Sequence, residues 1–234
     1  MKKEINKGKI VVSKDGPYLV SGNLPLEREE IVVDENKEAC CWKKGKKYPA
    51  DESYALCRCG KSKTMPYCDG SHMAGFAGTE TASRKKYLEQ IDAKTLGPDL
   101  ELFDSRALCA NARFCGRKDG TWELTKQSKD PQAKNMAIEQ VCNCPAGRLT
   151  AWDKKLWKVC EPDFEESLSI IDDPAIKVSG PIWVKGGVQI EAADGFVYEK
   201  RNRLCLCRCG KSTNKPFCDG THTRIGFNPE KDGQ

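Results

Sequence analysis

The apolar residues of this chain come in short runs. Tyr18-Leu19-Val20, Glu30-Ile31-Val32-Val33, Ile182-Trp183-Val184 and Val188-Gln189-Ile190 are each bounded by Gly, Pro or Asp, the punctuation of short strands. Asp194-Gly195 is a turn signal, and Phe196-Val197-Tyr198 after it reads as a further strand. One segment is helical: Asp130 is a good N-cap, Pro131 suits the first helical position, and Met136, Ala137, Gln140 and Val141 then share a face. The chain is expected to leave that helix at Cys142, before a turn at Cys144-Pro145-Ala146-Gly147. No apolar stretch approaches the roughly 18 residues of a membrane span. Met1 to Lys7 are not followed by an apolar run, so the expectation is no secretory leader and a cytoplasmic location.

The pattern repeats. Residues 57–72 read CRCGKSKTMPYCDGSH and residues 207–222 read CRCGKSTNKPFCDGTH, with eleven of sixteen positions identical. Upstream, Gly16-Pro17-Tyr18 pairs with Gly180-Pro181-Ile182. The first copy alone carries a lysine-rich stretch from Cys40 to Lys47. The expected organisation is two homologous β-rich modules, 8–80 and 174–230, flanking a middle module, 85–170.

Composition changes the picture in two places. Charged residues are 31% of the 234 and AVILMFWYC residues only 38%, which favours several small cores, each helped by a local staple. There are 14 Cys and 2 His. Without a leader, that many cysteines point to metal or redox work and not to a disulfide scaffold. The net charge of +5 is mild. The lysine-rich segments lack interleaved aromatics and read as solvated faces, so no nucleic-acid partner is expected.

Both histidines fall four residues after a Cys at the end of the repeated motif. If a helix begins near Asp69 and Asp219, that spacing sets Cys68 beside His72 and Cys218 beside His222 on one face, at an N-terminus that favours thiolate. Cys57-x-Cys59 and Cys207-x-Cys209 set two thiols on a tight loop. Ser62 and Ser212, with backbone N–H groups, are expected to donate to the sulfurs. Three thiolates and an imidazole suit either zinc or an iron–sulfur cluster.

The pattern C-x-C-x2-S-x3-P-x-C-D-G-[ST]-H, present in both copies, resembles that of the CDGSH-type iron–sulfur proteins. The resemblance implies one [2Fe–2S] cluster on Cys57, Cys59, Cys68 and His72, and another on Cys207, Cys209, Cys218 and His222. The repeat alignment leaves Cys205 on the preceding strand. Single-motif relatives are homodimers with two clusters side by side, so the chain is expected to be a monomer with an internal pseudo-dimer, or a homodimer. The middle insertion makes a strand-swapped packing unnecessary.

Between the repeats, Cys109-x5-Cys115 followed by Cys144-Pro145 resembles a single-cluster bacterial ferredoxin with Ala112 at the second ligand position. It also resembles the divergent ferredoxin-like module that accompanies paired CDGSH motifs. There the loop reads C-x-H-A-G-x-C, whereas this chain has Asn111 for His and Arg113 for Gly. Three thiolates at Cys109, Cys115 and Cys144 would suit [3Fe–4S], and Cys142 or Cys160 as a fourth ligand would complete [4Fe–4S]. Trp152 and Trp157 are expected in the local core.

The expected fold class is α+β, with two pseudo-two-fold-related β-rich modules around a small α+β middle module. The expected function is electron transfer or redox sensing by a multi-cluster protein with a redox partner. The alternatives are a cluster carrier or iron-homeostasis protein that serves an apo-protein acceptor, and a structural zinc protein. No G-x-G-x-x-G, P-loop or nucleophile–His arrangement is present, which makes an enzyme the weakest choice.

Overall fold

The computed structural model describes residues 8–229; Met1 to Lys7, part of the basis for the leader expectation, lie outside them. The order is β1 (Lys9–Val12), β2 (Tyr18–Ser21), β3 (Leu26–Val33), β4 (Ala39–Tyr48), β5 (Ser53–Leu56), β6 (Ala93–Leu96), β7 (Leu100–Asp104), α1 (Thr121–Lys126), α2 (Pro131–Asn143), β8 (Leu149–Asp153), β9 (Lys158–Cys160), β10 (Ser167–Asp173), β11 (Val178–Lys185), β12 (Gln189–Glu191), β13 (Arg203–Leu206) and α3 (Thr221–Arg224). No helix among the described residues is long and apolar enough to cross a membrane.

Among the described residues three sheets form, ordered β12-β1-β2-β5, β13-β11-β10-β3-β4 and β6-β7-β8-β9. The first two are related by the repeat. β1, β2, β3 and β5 correspond to β10, β11, β12 and β13. Within each copy the first, second and last of these strands pair antiparallel. The third strand crosses over: β12 pairs parallel with β1, and β3 pairs parallel with β10. The two modules therefore exchange a strand reciprocally, so the swapped packing that the insertion made unnecessary is present all the same. The first strand of the second copy, β10, starts at Ser167.

The exchange gives the outer modules one shared core, not two small ones. Ile10, Val12, Tyr18, Val20, Leu26 and Leu56 meet Leu168, Ile170, Ile182, Val184, Leu204 and Leu206 in a single cluster. β11 is buried along its whole length. Strand residues alternate between faces, so Ile182 and Val184 enter the shared core while Trp183 points the other way. There Trp183 joins a second cluster with Cys205, Cys218, Ala110, Phe114 and Ala146. That cluster welds the middle module onto the second outer module.

The middle module is a four-stranded sheet with α1 and α2 packed on it. Asp130 caps α2 by accepting from the Gln132 and Ala133 N–H groups, with Pro131 at its start. Ala133, Ala137, Gln140 and Val141 are the buried face. Three expectations differ. Trp157 is 79% exposed at the turn before β9, with φ +50°, so it adds nothing to the core. Phe196–Tyr198 makes only an isolated bridge, Glu191 with Val197, and no strand. The helix runs to Asn143, one residue past Cys142.

Candidate metal centres

Each repeated motif folds the same way. Leu56 bridges Tyr67 and Leu206 bridges Phe217. The Cys57 N–H donates to the Pro66 carbonyl and the Cys207 N–H to the Pro216 carbonyl, each at 2.8 Å. Both Pro peptide bonds are cis. Ser62 and Ser212 do not face the sulfurs: their hydroxyls donate to the Tyr67 and Phe217 carbonyls at 2.6 and 2.7 Å and brace the loop from behind. Backbone N–H groups take the sulfur role. Lys61 N–H lies 3.4 Å from Cys59 Sγ, and Gly220 N–H lies 3.4 Å from Cys218 Sγ.

The Asp of the motif is an anchor. Asp69 accepts from the Lys63 and Ser71 N–H groups and Asp219 from those of Thr213 and Thr221. The Lys63 N–H and then Ser71 hold the Asp69 carboxyl below its usual range. The helix expected to start there is a single turn in each copy, entered through Gly70 at φ +88° and Gly220 at φ +79°. The i, i+4 placement survives because one turn is enough.

The donors sit in pairs. Cys57 and Cys59 Sγ are 3.7 Å apart, and Cys207 and Cys209 Sγ are 3.8 Å apart. Two sulfurs bound at about 2.3 Å to one tetrahedral metal are separated by about 3.8 Å. Cys68 Sγ faces His72 Nδ1 at 3.3 Å, and Cys218 Sγ faces His222 Nδ1 at 3.3 Å. Among the described residues, no three or more of His, Cys, Asp and Glu converge as they would around a single ion.

The two sites differ in depth. Cys68 and His72 are half-buried, whereas Cys218 and His222 are buried. Burial, and then the Arg208 guanidinium, lower His222 to about 4, so near neutral pH its ring is uncharged and has a lone pair to give. The hydrogen bond from the Cys209 thiol lowers Cys207 to about 6. Burial raises Cys59 to about 11. Such crowded thiols resist a second ionisation unless a cation enters.

The motif loops pack back to back. A Cβ on Gly60 would stand 2.6 Å from the Cys209 carbonyl oxygen, and one on Gly210 would stand 2.3 Å from that of Cys59. Tyr18 of the first module reaches across and donates to the Cys207 and Pro216 carbonyls. The repeat carries a trace of this asymmetry, because the second copy has Ile182 there.

In the middle module, Cys109, Cys115 and Cys144 line one solvent-open pocket of about 470 Å³. Burial, and then the neighbouring Cys144 sulfur, raise Cys115 to about 11. Arg148 and Arg113 both line the wall, and Arg148 is the one that reaches a sulfur. It forks onto Asp104 at 2.6 and 2.7 Å, and its Nη1 donates to Cys109 Sγ at 3.2 Å. Sequence reasoning passed over this arginine, though it stands four residues after Cys144. The Arg113 substitution is accommodated: its φ is +69°, the conformation a Gly would adopt freely, and Asp173 of β10 holds its guanidinium at 2.5 and 3.0 Å. Cys142 and Cys160 are not at this pocket. Cys142 Sγ lies instead 3.8 Å from the Cys160 carbonyl oxygen. Helix residue Cys142 and the extended cap residue Cys144 diverge, so the fourth-ligand expectation finds no thiol in place.

The middle pocket and the second outer site adjoin. A Cβ on Gly220 would stand 3.2 Å from the Cys109 carbonyl oxygen and 3.1 Å from Asn111 Cβ. Cys205, fully buried, is in the same core as Cys218 and Cys144. Burial, and then the neighbouring Cys218 and Cys144 sulfurs, push its thiol up.

Residues 15–73 and 179–223 match the family model described as an iron-binding zinc finger of CDGSH type. Residues 96–154 match the one described as a divergent 4Fe–4S mono-cluster. No curated protein and no solved structure matches the chain. The family matches fall within the modules that the fold displays. The chain thus carries two CDGSH-type iron-binding domains, one on each side of a divergent, ferredoxin-like 4Fe–4S mono-cluster domain.

Proposed function

We propose that this chain is an electron-transfer protein with three iron–sulfur sites arranged in series. The first site would use Cys57, Cys59, Cys68 and His72, the second Cys207, Cys209, Cys218 and His222, each for a [2Fe–2S] cluster. Cys109, Cys115 and Cys144 would hold the middle cluster, either [3Fe–4S] or [4Fe–4S] with a non-thiol fourth ligand. When bound, each cluster takes up or gives one electron.

The pairing of donors carries the cluster assignment. Two thiols for one metal and a thiol with an imidazole for another suit a two-iron unit better than one zinc ion, which would draw all four together. The serial order rests on contacts. The first and second motif loops touch through Gly60 and Gly210, and the second loop touches the middle pocket through Gly220 and Cys109. Between the second and middle sites, Ala110, Ala146, Cys205 and Cys218 belong to one packed cluster, which would give an electron a protein path.

Magnetic coupling tests the order. In the fully reduced chain, electron paramagnetic resonance should show the second centre broadened by neighbours on both sides. Replacing Cys207 and Cys209 with Ser should leave the first and middle centres uncoupled. Strong coupling between those two after loss of the second would contradict the serial arrangement.

One observation favours a second reading, cluster donation. Cys68 and His72 are half-buried, and Met73 beside them is 81% exposed, so the first cluster would sit where an acceptor could reach it. Incubation with an apo-ferredoxin separates the readings. Fast loss of the first cluster alone selects donation, and retention selects electron transfer.

A further inference from the structure

The lysine-rich strand β4 is absent from the second copy, so the repeat does not need it. It carries Cys40 and Cys41, which none of the three sites uses. Adjacent residues of a regular strand point to opposite faces. Here the β3–β4 register slips, with Val32 opposite Cys41 and Val33 opposite Ala39. Cys40 is the extra residue, and such a bulge re-aims its side chain. The two sulfurs come to 3.5 Å. Cys41 is exposed and Cys40 half-buried.

The pair is held in place. Cys40 Sγ lies 3.5 Å from the Val32 carbonyl. The next residue, Trp42, donates from its indole N–H to the Asn143 carbonyl at 3.2 Å and packs between Phe114 and Trp183. At the hairpin tip Arg117 holds Asp34, and the Lys118 N–H holds Glu38.

From this geometry we infer that Cys40 and Cys41 form a preorganised vicinal-dithiol site for a trivalent, thiophilic centre of the arsenic(III) type. The spacing discriminates. A linear two-coordinate ion with bonds of about 2.3 Å needs its sulfurs roughly 4.6 Å apart. Sulfurs at 3.5 Å fit adjacent corners of a pyramidal centre that keeps a third ligand of its own. With an arsine oxide, two As–S bonds form and the As–O bond breaks. The two thiol protons leave with that oxygen as water, and no electron changes hands.

The test uses the cluster-loaded chain and phenylarsine oxide, read by native mass spectrometry. One phenylarsenic adduct at Cys40 and Cys41 is expected, stable to a monothiol and stripped by a small 1,2-dithiol. Cys40→Ser and Cys41→Ser should each lose it at unchanged iron content, and Cys142→Ser should keep it. As a second readout, the arsenical should protect two thiols of the unaltered chain from iodoacetamide. An adduct that persists in either serine variant, or protection that maps elsewhere, overturns the assignment, as does the lack of any adduct.

Discussion

Replacing Gly210 with alanine is expected to empty both outer sites and to lower the melting temperature by about 8–16 °C, as a loss of about 4 kcal/mol would in a chain of this size. Two costs add. Gly210 has φ +73°, where an L-residue pays about 1–2 kcal/mol. The new methyl would also meet the Cys59 carbonyl oxygen at 2.3 Å and its carbon at 2.8 Å. That neighbour is backbone, and the Cys59 sulfur is itself fixed by the Lys61 N–H, so nothing can swing aside. The loops would part, and the Cys57–Cys59 and Cys207–Cys209 pairs would shift together. Gly195→Ala is the control. Its φ is +86° but no atom lies within 4 Å of the added carbon, so it bears the conformational cost alone and full iron content is expected. Iron analysis and thermal melts read both outcomes. Equal, small effects in the two variants would mean that the back-to-back contact is not needed.

The second large effect is on potential. His72→Cys and His222→Cys should each lower the potential of their own centre by on the order of 100 mV or more, since all-cysteine plant-type centres sit far below those with imidazole ligands. A fourth thiolate adds negative charge, and it removes a ring with a second, exchangeable nitrogen. Nδ1 faces the partner thiol in both sites, so Nε2 is the nitrogen that carries the proton. The pH dependence should therefore flatten in both variants. Protein-film voltammetry across pH checks this, and unchanged potentials in both variants would end the ligand assignment.

Much of this arrangement is legible in the sequence, and the reasons are local. A Cys and a His four apart meet within one helical turn whether or not a longer helix follows. The Asp130-Pro131 start of α2 depends only on its own backbone. Cys205 was placed on its strand by the repeat, but its role came from parity: Leu204 and Leu206 face the shared core, so Cys205 must face the middle module. The reciprocal strand exchange was not legible. β3 shows the same apolar pattern whichever strand it joins, and its partner β10 lies some 140 residues on. Trp157 misled because a large aromatic usually means core, yet the turn before β9 sends it outward. Cys142 and Cys144 look like one pair in the sequence. They separate because the first is still helical and the second is already extended. The dithiol at Cys40 and Cys41 depends on a bulge, which no side-chain pattern announces.

The most direct measurement is iron and acid-labile sulfide on the anaerobically purified chain, with electron paramagnetic resonance before and after reduction. The account predicts four irons from the outer sites and three or four from the middle, with about four sulfides from the outer sites and about four from the middle, and two-iron signals only on reduction. A colourless protein with stoichiometric zinc and no sulfide would contradict it.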